Sequence, residues 1–463
     1  MTYQLDQQVA ERLKAFFEPF DFIDKVVIFG SRAKHNANPK SDIDLCIYSL
    51  EMSEAQFSKL KLALDELPIL YKIDVVHFEK SNEALRENVS RDGKLLFVKI
   101  VKLEDLEYDK SIIVSKGKQL PNEYRDKGEI KVIGAGQKSP YLSSHANYEG
   151  NTITISSSGA YAGYVWFHNY PLWASDCTVI KVNKNIDMSY LYLFLKSKQE
   201  LIYSFQTGAG QPHVYWKNIK NIEIPLPSLT KQQEIAQTLD KASELIALRK
   251  ASIEKLDELS QSIFIDMFGD PVKNLHNWDI VEFGTVVKID APMVDPNTPK
   301  YENLLHIGPD RIERNTGKLL PALTAKEEGL ISKKFLFDEQ YILYSKIRPY
   351  LNKVAIVNFI GLCSADMYPI RPILDKTNRE YLLQLLLSSY FLKYTETLPD
   401  RASIPKLNRK ELAKFEFPLP PLELQEKFAQ VMQKIESQKS LYEAELTKLQ
   451  ANFDALMAQS FEG

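Results

Sequence analysis

Residues 222–269 read IEIPLPSLTKQQEIAQTLDKASELIALRKASIEKLDELSQSIFIDMFG, and residues 415–461 read FEFPLPPLELQEKFAQVMQKIESQKSLYEAELTKLQANFDALMAQSF. The two align without a gap at one offset (415 − 222 = 193). Pro225, Leu226, Pro227 and Leu229 answer Pro418, Leu419, Pro420 and Leu422; Gln232, Ala236 and Gln237 answer Gln425, Ala429 and Gln430. A repeat of this length and separation implies two copies of one structural unit.

Each copy reads as a proline-terminated extended segment running into a long helix. Pro225 and Pro227 can neither donate to a ladder nor sit inside a helix, so they form a stiff lead-in. Thr230 stands three residues before Gln233, a capping-box spacing. A heptad seam follows: Ile235, Leu239, Ala242, Ile246, Arg249, Ile253, Leu256, Ser260, Ile263, Met267. The second copy runs Phe428, Met432, Ile435, Lys439, Tyr442, Leu446, Leu449, Phe453, Leu456, Ser460. Each helix would be roughly 55–60 Å long at 1.5 Å per residue. The apolar faces are narrow, so the two helices are expected to cover each other as an antiparallel coiled coil, with Arg249 and Lys439 snorkelling toward water. The alternative is two amphipathic helices that each pack on their own domain.

A chain of 463 residues is too long for one core. The net charge of −3 excludes a global basic signature, so a nucleic-acid surface must be a local patch. Cys46, Cys177 and Cys363 lie far apart, without a CxxC pair, which argues against a zinc site or a disulfide framework. The first residues have no apolar signal core, and the longest apolar run, around Leu382–Leu392, is too short to span a membrane. A cytoplasmic protein is expected.

The front of the chain carries VVIFGSRAKHNANPKSDIDLCIY over residues 26–48. An apolar strand leads into Gly30-Ser31, and a second strand starts at Asp42-Ile43-Asp44. Strand alternation puts Asp42 and Asp44 on one face, where two carboxylates repel unless a cation such as Mg²⁺ sits between them. Asp74, in the run Tyr71–Val76, is a third candidate. Gly30 and Ser31 give a tight turn with backbone N–H groups free to hold a phosphate. GSRA followed by SDIDL resembles the minimal nucleotidyltransferases related to DNA polymerase β, over about residues 10–100. The resemblance implies that Asp42, Asp44 and Asp74 hold Mg²⁺, with Gly30, Ser31 and Arg32 on a nucleoside triphosphate. His35 stands where that family usually has glycine.

Between these landmarks lie two mixed segments that repeat each other. Strands are expected at 130–133, 152–156, 164–167 and 178–182, then a helix over 188–205. Asp176 answers Asp366, Tyr190–Leu195 answers Tyr381–Leu386, and Gly208–Lys217 answers Asp400–Arg409. This layout resembles the specificity subunit of type I restriction–modification systems, through the paired IPLPSLTKQQEIA and FPLPPLELQEKFA segments and glycines 159, 163, 208 and 210. The resemblance implies an α+β multidomain chain. Its parts are a nucleotidyltransferase-like domain (1–105), a first target-recognition domain (106–228), a long helix (229–269), a second recognition domain (270–421) and a second helix (422–463). It further implies double-stranded DNA, methyltransferase and restriction/translocase subunits as partners, and no cofactor for the reading part.

Phosphate and base-edge contacts want Lys, Arg, Gln and similar donors. The polar loops offer Lys138, Tyr161, Gln211, His213 and Lys217 in the first unit. In the second they offer Lys346, Arg348, Lys353, Arg401, Lys406 and Arg409. Neither a methyltransferase NPPY motif nor a P-loop is present, so methylation and translocation are expected to reside in other subunits. A second reading makes the chain chiefly an Mg²⁺-dependent nucleotidyltransferase acting on a protein or RNA partner, antitoxin-like, with the repeats as a docking scaffold.

Two readers joined by helices of fixed length predict two short half-sites separated by a nonspecific spacer. Deleting one heptad from both helices is expected to shorten the spacer and leave the half-sites unchanged. Methylome mapping of the reconstituted complex checks this, and a single continuous motif would sink it.

Overall fold

The prolines of each repeat stand where their missing N–H costs nothing. In the computed structural model, which describes residues 3–136, 139–208, 210–397 and 405–461, Glu223–Pro225 pairs antiparallel with Ile100–Lys102. Glu416–Pro418 pairs in the same way with Ile280–Glu282. A buried proline needs a partner only for its carbonyl, and each carbonyl has one. Tyr190 Oη donates to Pro225 O at 2.7 Å, and Tyr381 Oη to Pro418 O at 3.1 Å. Gln232 Nε2 donates to Pro227 O at 2.9 Å, and Gln425 Nε2 to Pro420 O at 2.8 Å. Gln232 Oε1 accepts from the Asp187 N–H at 2.8 Å, and Gln425 Oε1 from Thr377 Oγ1 at 2.8 Å. Both glutamines are fully buried. The strand pairing also moves a boundary. The expected front domain ended at residue 105, but Ile100–Lys102 is the counterpart of Ile280–Glu282, so the repeated unit begins near residue 100.

The long helices are Leu229–Phe268 and Leu422–Phe461, 40 residues each. The first is capped by Ser228, whose Oγ accepts from the Lys231 N–H at 3.3 Å. Thr230, the expected cap, instead donates its hydroxyl to Glu51 at 2.7 Å. Two compact units divide the chain: Met1–Leu245 with Leu449–Gly463, and Ile246–Lys448. In the first unit Phe461 joins the core that holds Ala236 and Leu239. In the second, Phe264 and Phe268 meet Phe428 edge-on at 5.8 and 5.2 Å. The end of one helix thus lies against the start of the other in each unit, which is antiparallel packing. The seam cations do not snorkel. Arg249 pairs with Glu445 at 2.9 Å and lies over the Tyr442 ring at 4.1 Å. Lys439, 8% exposed, pairs with Asp257 at 2.6 Å. A cation largely withdrawn from water needs a partner charge, and the neighbouring helix supplies it.

Each of the two mixed domains holds its own four-stranded sheet, and the strand order is the same in both. In the first its order is Val165–His168, Thr152–Ser156, Cys177–Val182, Ile112–Lys116. In the second it is Val354–Ile356, Ile342–Ser345, Met367–Pro372, Val287–Ile289. The helix expected over 188–205 is two, Met188–Ser197 and Gln199–Ser204, separated at Lys198. A buried aliphatic and aromatic cluster from these elements packs onto the start of the first long helix in one unit. A matching cluster packs onto the start of the second long helix in the other.

The front domain is a four-stranded sheet in the order Ile73–His77, Ile43–Tyr48, Lys25–Phe29, Lys94–Phe97, covered by helices that include Gln7–Phe17 and Glu54–Asp65. It is fastened to the first repeat by Asp24, only 4% exposed. Asp24 Oδ1 accepts from the Ser228 N–H at 3.0 Å and from Ser228 Oγ at 2.6 Å. Burial raises the Asp24 pKa, and the Ser228 bonds oppose the rise.

Gln425→Leu leaves two carbonyls and the Thr377 hydroxyl without this partner. It is expected to destabilise the second unit by about 3 kcal/mol, against about 1 kcal/mol for Tyr381→Phe. Urea midpoints of the two variants check the ranking, and equal midpoints would refute it.

Candidate nucleotidyl-transfer site and nucleic-acid interface

In the front domain the strand Lys25–Phe29 runs directly into the turn Gly30–Ala33. Gly30 has φ +68°, and a Cβ there would sit 2.3 Å from Asp44 Oδ2. Only glycine lets the turn lie against that carboxylate. Asp44 is the register partner of Phe29 on one side and of Asp74, on the parallel strand, on the other. Asp42 lies just before the strand. Burial raises the Asp44 pKa, and repulsion from Asp74 and then Asp42 adds to it. The carboxylates are therefore gathered but not mutually neutralised.

Lys72 partly supplies the missing positive charge. Its Nζ lies 2.7 Å from Asp74 Oδ1 and 2.8 Å from Oδ2, which raises the Lys72 pKa. Among the described residues no three ligating side chains stand close enough together to hold a metal ion. The expected three-way convergence is thus present as the in-register pair Asp44 and Asp74, with an ammonium on the second. The donor set itself, oxygen-only and repelling, suits a hard divalent cation. Lys72 was absent from the expected site, although its i, i+2 spacing from Asp74 puts both on one strand face.

Arg32 departs from its expected role on a triphosphate. It is buried, and its guanidinium donates to the backbone carbonyls of Asp42 (3.1 Å), Gln4 (2.9 Å) and Ser41 (2.7 Å) while lying over the Tyr71 ring at 4.3 Å. It braces the loop that delivers Asp42. Ser31 is half-buried in the same turn. His35 takes φ +57°, the left-handed corner that glycine would fill more cheaply.

Several of the DNA candidates stand on a two-loop clasp that each mixed domain builds with the same backbone contacts. In the first domain the Gly159 N–H donates to Pro212 O at 2.9 Å and the Val214 N–H to Ser157 O at 3.1 Å; a bridge joins Ser158 to His213. In the second the Arg348 N–H donates to Pro405 O at 2.8 Å and the Leu407 N–H to Lys346 O at 2.9 Å; a bridge joins Ile347 to Lys406. Tyr161, Gln211 and Lys217 are exposed on the first clasp, and His213 stacks on Tyr215 at 5.8 Å. Lys217 reaches over the same Tyr215 ring at 5.6 Å.

On the second clasp Arg348, Lys406 and Arg409 are exposed. Three of the expected cations are already engaged within the protein. Lys353 Nζ donates to Pro309 O at 2.7 Å and is half-buried, so it holds a loop and does not face outward. Lys346 bonds Ala365 O at 2.6 Å and lies 3.6 Å from Asp366, while Arg409 lies 3.6 Å from Asp290. Lys138 and Arg401 lie outside the described residues.

Two copies of one mixed domain, each followed by a long helix, come after a small domain with paired strand carboxylates, the layout of a DNA-specificity protein with an added nucleotidyltransferase domain. The family model described as the type I restriction modification DNA specificity domain matches residues 98–258 and 277–451, and the chain belongs to that family. The polymerase beta nucleotidyltransferase model matches residues 11–100.

The chain is similar to the type I restriction enzyme EcoDI specificity subunit of Escherichia coli, at 24% identity over 77% of this chain and 87% of the relative. It is also similar to the MjaVIII specificity subunit of Methanocaldococcus jannaschii, at 26% identity over 62% and 72%. Among solved structures, the type I S subunit from M. genitalium shares the fold with a TM-score of 0.54 and 17% identity, covering 78% of this chain and 96% of that one. Among the described residues no helix is long and apolar enough to cross a membrane.

Proposed function

We propose that this specificity subunit reads a bipartite double-stranded DNA target, one half-site per clasp, and carries its methyltransferase and restriction/translocase partners to it. The observation that carries this reading is the repetition of the clasp. Two backbone hydrogen bonds and one bridge recur at matched positions in domains whose loop side chains differ. A shared frame with divergent side chains suits two readers of different short sequences. Replacing residues 278–414 with the matching segment of another specificity subunit is expected to change one half-site and leave the other. Mapped methylation that changes in both halves, or in neither, would overturn the assignment.

The front domain, on the same proposal, transfers AMP from ATP to a nucleophilic oxygen of a protein or RNA partner, that oxygen bonding to the α-phosphorus as the α–β phosphoanhydride bond breaks and pyrophosphate leaves. The in-register pair Asp44 and Asp74 would hold Mg²⁺, with Asp42 adding negative charge from just before the strand, and the ion when bound would neutralise the triphosphate and polarise the phosphoryl oxygens. Gly30 and Ser31 present the turn on which the phosphates rest, and Gly30 keeps that turn against Asp44. Arg32 holds the loop that carries Asp42. Lys72 holds the Asp74 carboxylate through its ammonium. Asp44→Asn is expected to reduce incorporation of labelled nucleotide into the purified complex, or into a co-encoded partner, to background. DNA binding by the same variant should stay within about twofold of wild type, since the clasps lie beyond residue 150. Equal labelling of wild type and variant would remove the carboxylate assignment.

A further inference from the structure

The hairpin turn of each clasp aligns without a gap: SSSGAYAGYVWF at 156–167 over SKIRPYLNKVAI at 345–356, an offset of 189 (345 − 156). Both turns have left-handed corners at the same two places, Gly159 (φ +78°) with Arg348 (φ +48°), and Gly163 (φ +91°) with Asn352 (φ +43°). The backbone path is therefore common, and only the side chains on it differ. Between the corners each turn exposes one tyrosine at the same position: Tyr161 is 42% exposed and Tyr350 is 52% exposed. Neither phenol oxygen has a hydrogen-bond partner among the described residues.

The first corner differs in a telling way. Glycine takes a left-handed conformation freely, whereas an arginine there costs about 1–2 kcal/mol. The second domain nonetheless holds Arg348 at this corner, anchored by its N–H to Pro405 O and by its carbonyl to the Leu351 N–H at 2.9 Å. Its guanidinium is exposed and has no partner among the described residues. Of the neighbouring cations, Lys346, Lys353 and Arg409 are held by Asp366, Pro309 and Asp290, and Lys406 is exposed beside Ile347. A strained backbone that presents an exposed planar fork of donors suits bidentate recognition, and in a major groove that fork matches guanine O6 and N7.

Resting on the reading of the clasps as the DNA-contacting surface, we propose a division of labour within each turn. The matched tyrosines Tyr161 and Tyr350 contact the sugar–phosphate backbone at both half-sites and set the register. The unmatched corner sets sequence, with Arg348 reading a guanine in the half-site of the second domain. Gly159 leaves the equivalent position in the first half-site without such a contact.

The test uses the full chain assembled with its methyltransferase, measured by competition binding against targets randomised at each half-site position. Arg348→Gly keeps the turn, because glycine already occupies this corner in the first copy. It is expected to weaken cognate binding about tenfold to a hundredfold and to erase the preference for one G·C pair in one half-site. Tyr161→Phe and Tyr350→Phe are each expected to weaken binding about threefold to tenfold on every sequence alike. If wild type reads a split target and Arg348→Gly retains every preference, the guanine assignment is overturned. If either tyrosine variant changes base preference, the phosphate assignment is overturned. If wild type shows no sequence preference, the DNA-reading function fails first, and this inference with it.

Discussion

The fold hangs on how two Pro-Leu-Pro segments dispose of their carbonyls. A proline in an edge strand removes a donor and leaves an acceptor, and a buried acceptor without a partner is costly. Tyrosine and glutamine side chains from elements on either side supply the four bonds, two per copy. Each glutamine also grips the chain just before a reading-domain helix, through the Asp187 N–H or the Thr377 hydroxyl. Strand, long helix and reading domain are therefore tied by one amide in each copy. The same geometry explains why the Pro, Leu and Gln positions recur across an offset of 193 while the reading domains diverge.

Along the long helices the apolar seam is interrupted by charge, and the interruptions are matched across the pair. Arg249 meets Glu445 and Tyr442, and Lys439 meets Asp257. Such pairs contribute modestly to stability and more to register, because the buried Lys439 meets Asp257 at one alignment of the two helices.

Much of this was legible in the sequence because it depends on periodicity and chain-local geometry. The repeat exposed both helices, strand alternation placed Asp44 for its register with Asp74, and paired loop segments pointed to the clasps. What escaped depends on contacts between distant residues. Thr230 reads as the cap by spacing, yet its hydroxyl goes to Glu51, and Ser228, held by Asp24 more than two hundred residues upstream, caps the helix instead. Arg32 looked like a phosphate ligand until three backbone carbonyls claimed its donors. Lys353 reads as surface charge in a loop alignment, yet Pro309 draws it inward. The strand at Ile100–Lys102 could be assigned only once its partner, Glu223–Pro225, was seen.

The serine that receives Asp24 has a counterpart in the second repeat, and it is Pro421. Proline offers neither the N–H nor the hydroxyl that Asp24 uses, and the threonine that binds Glu51 is answered by Glu423, which would repel it. The duplicated scaffold therefore contains one berth for the front domain, not two.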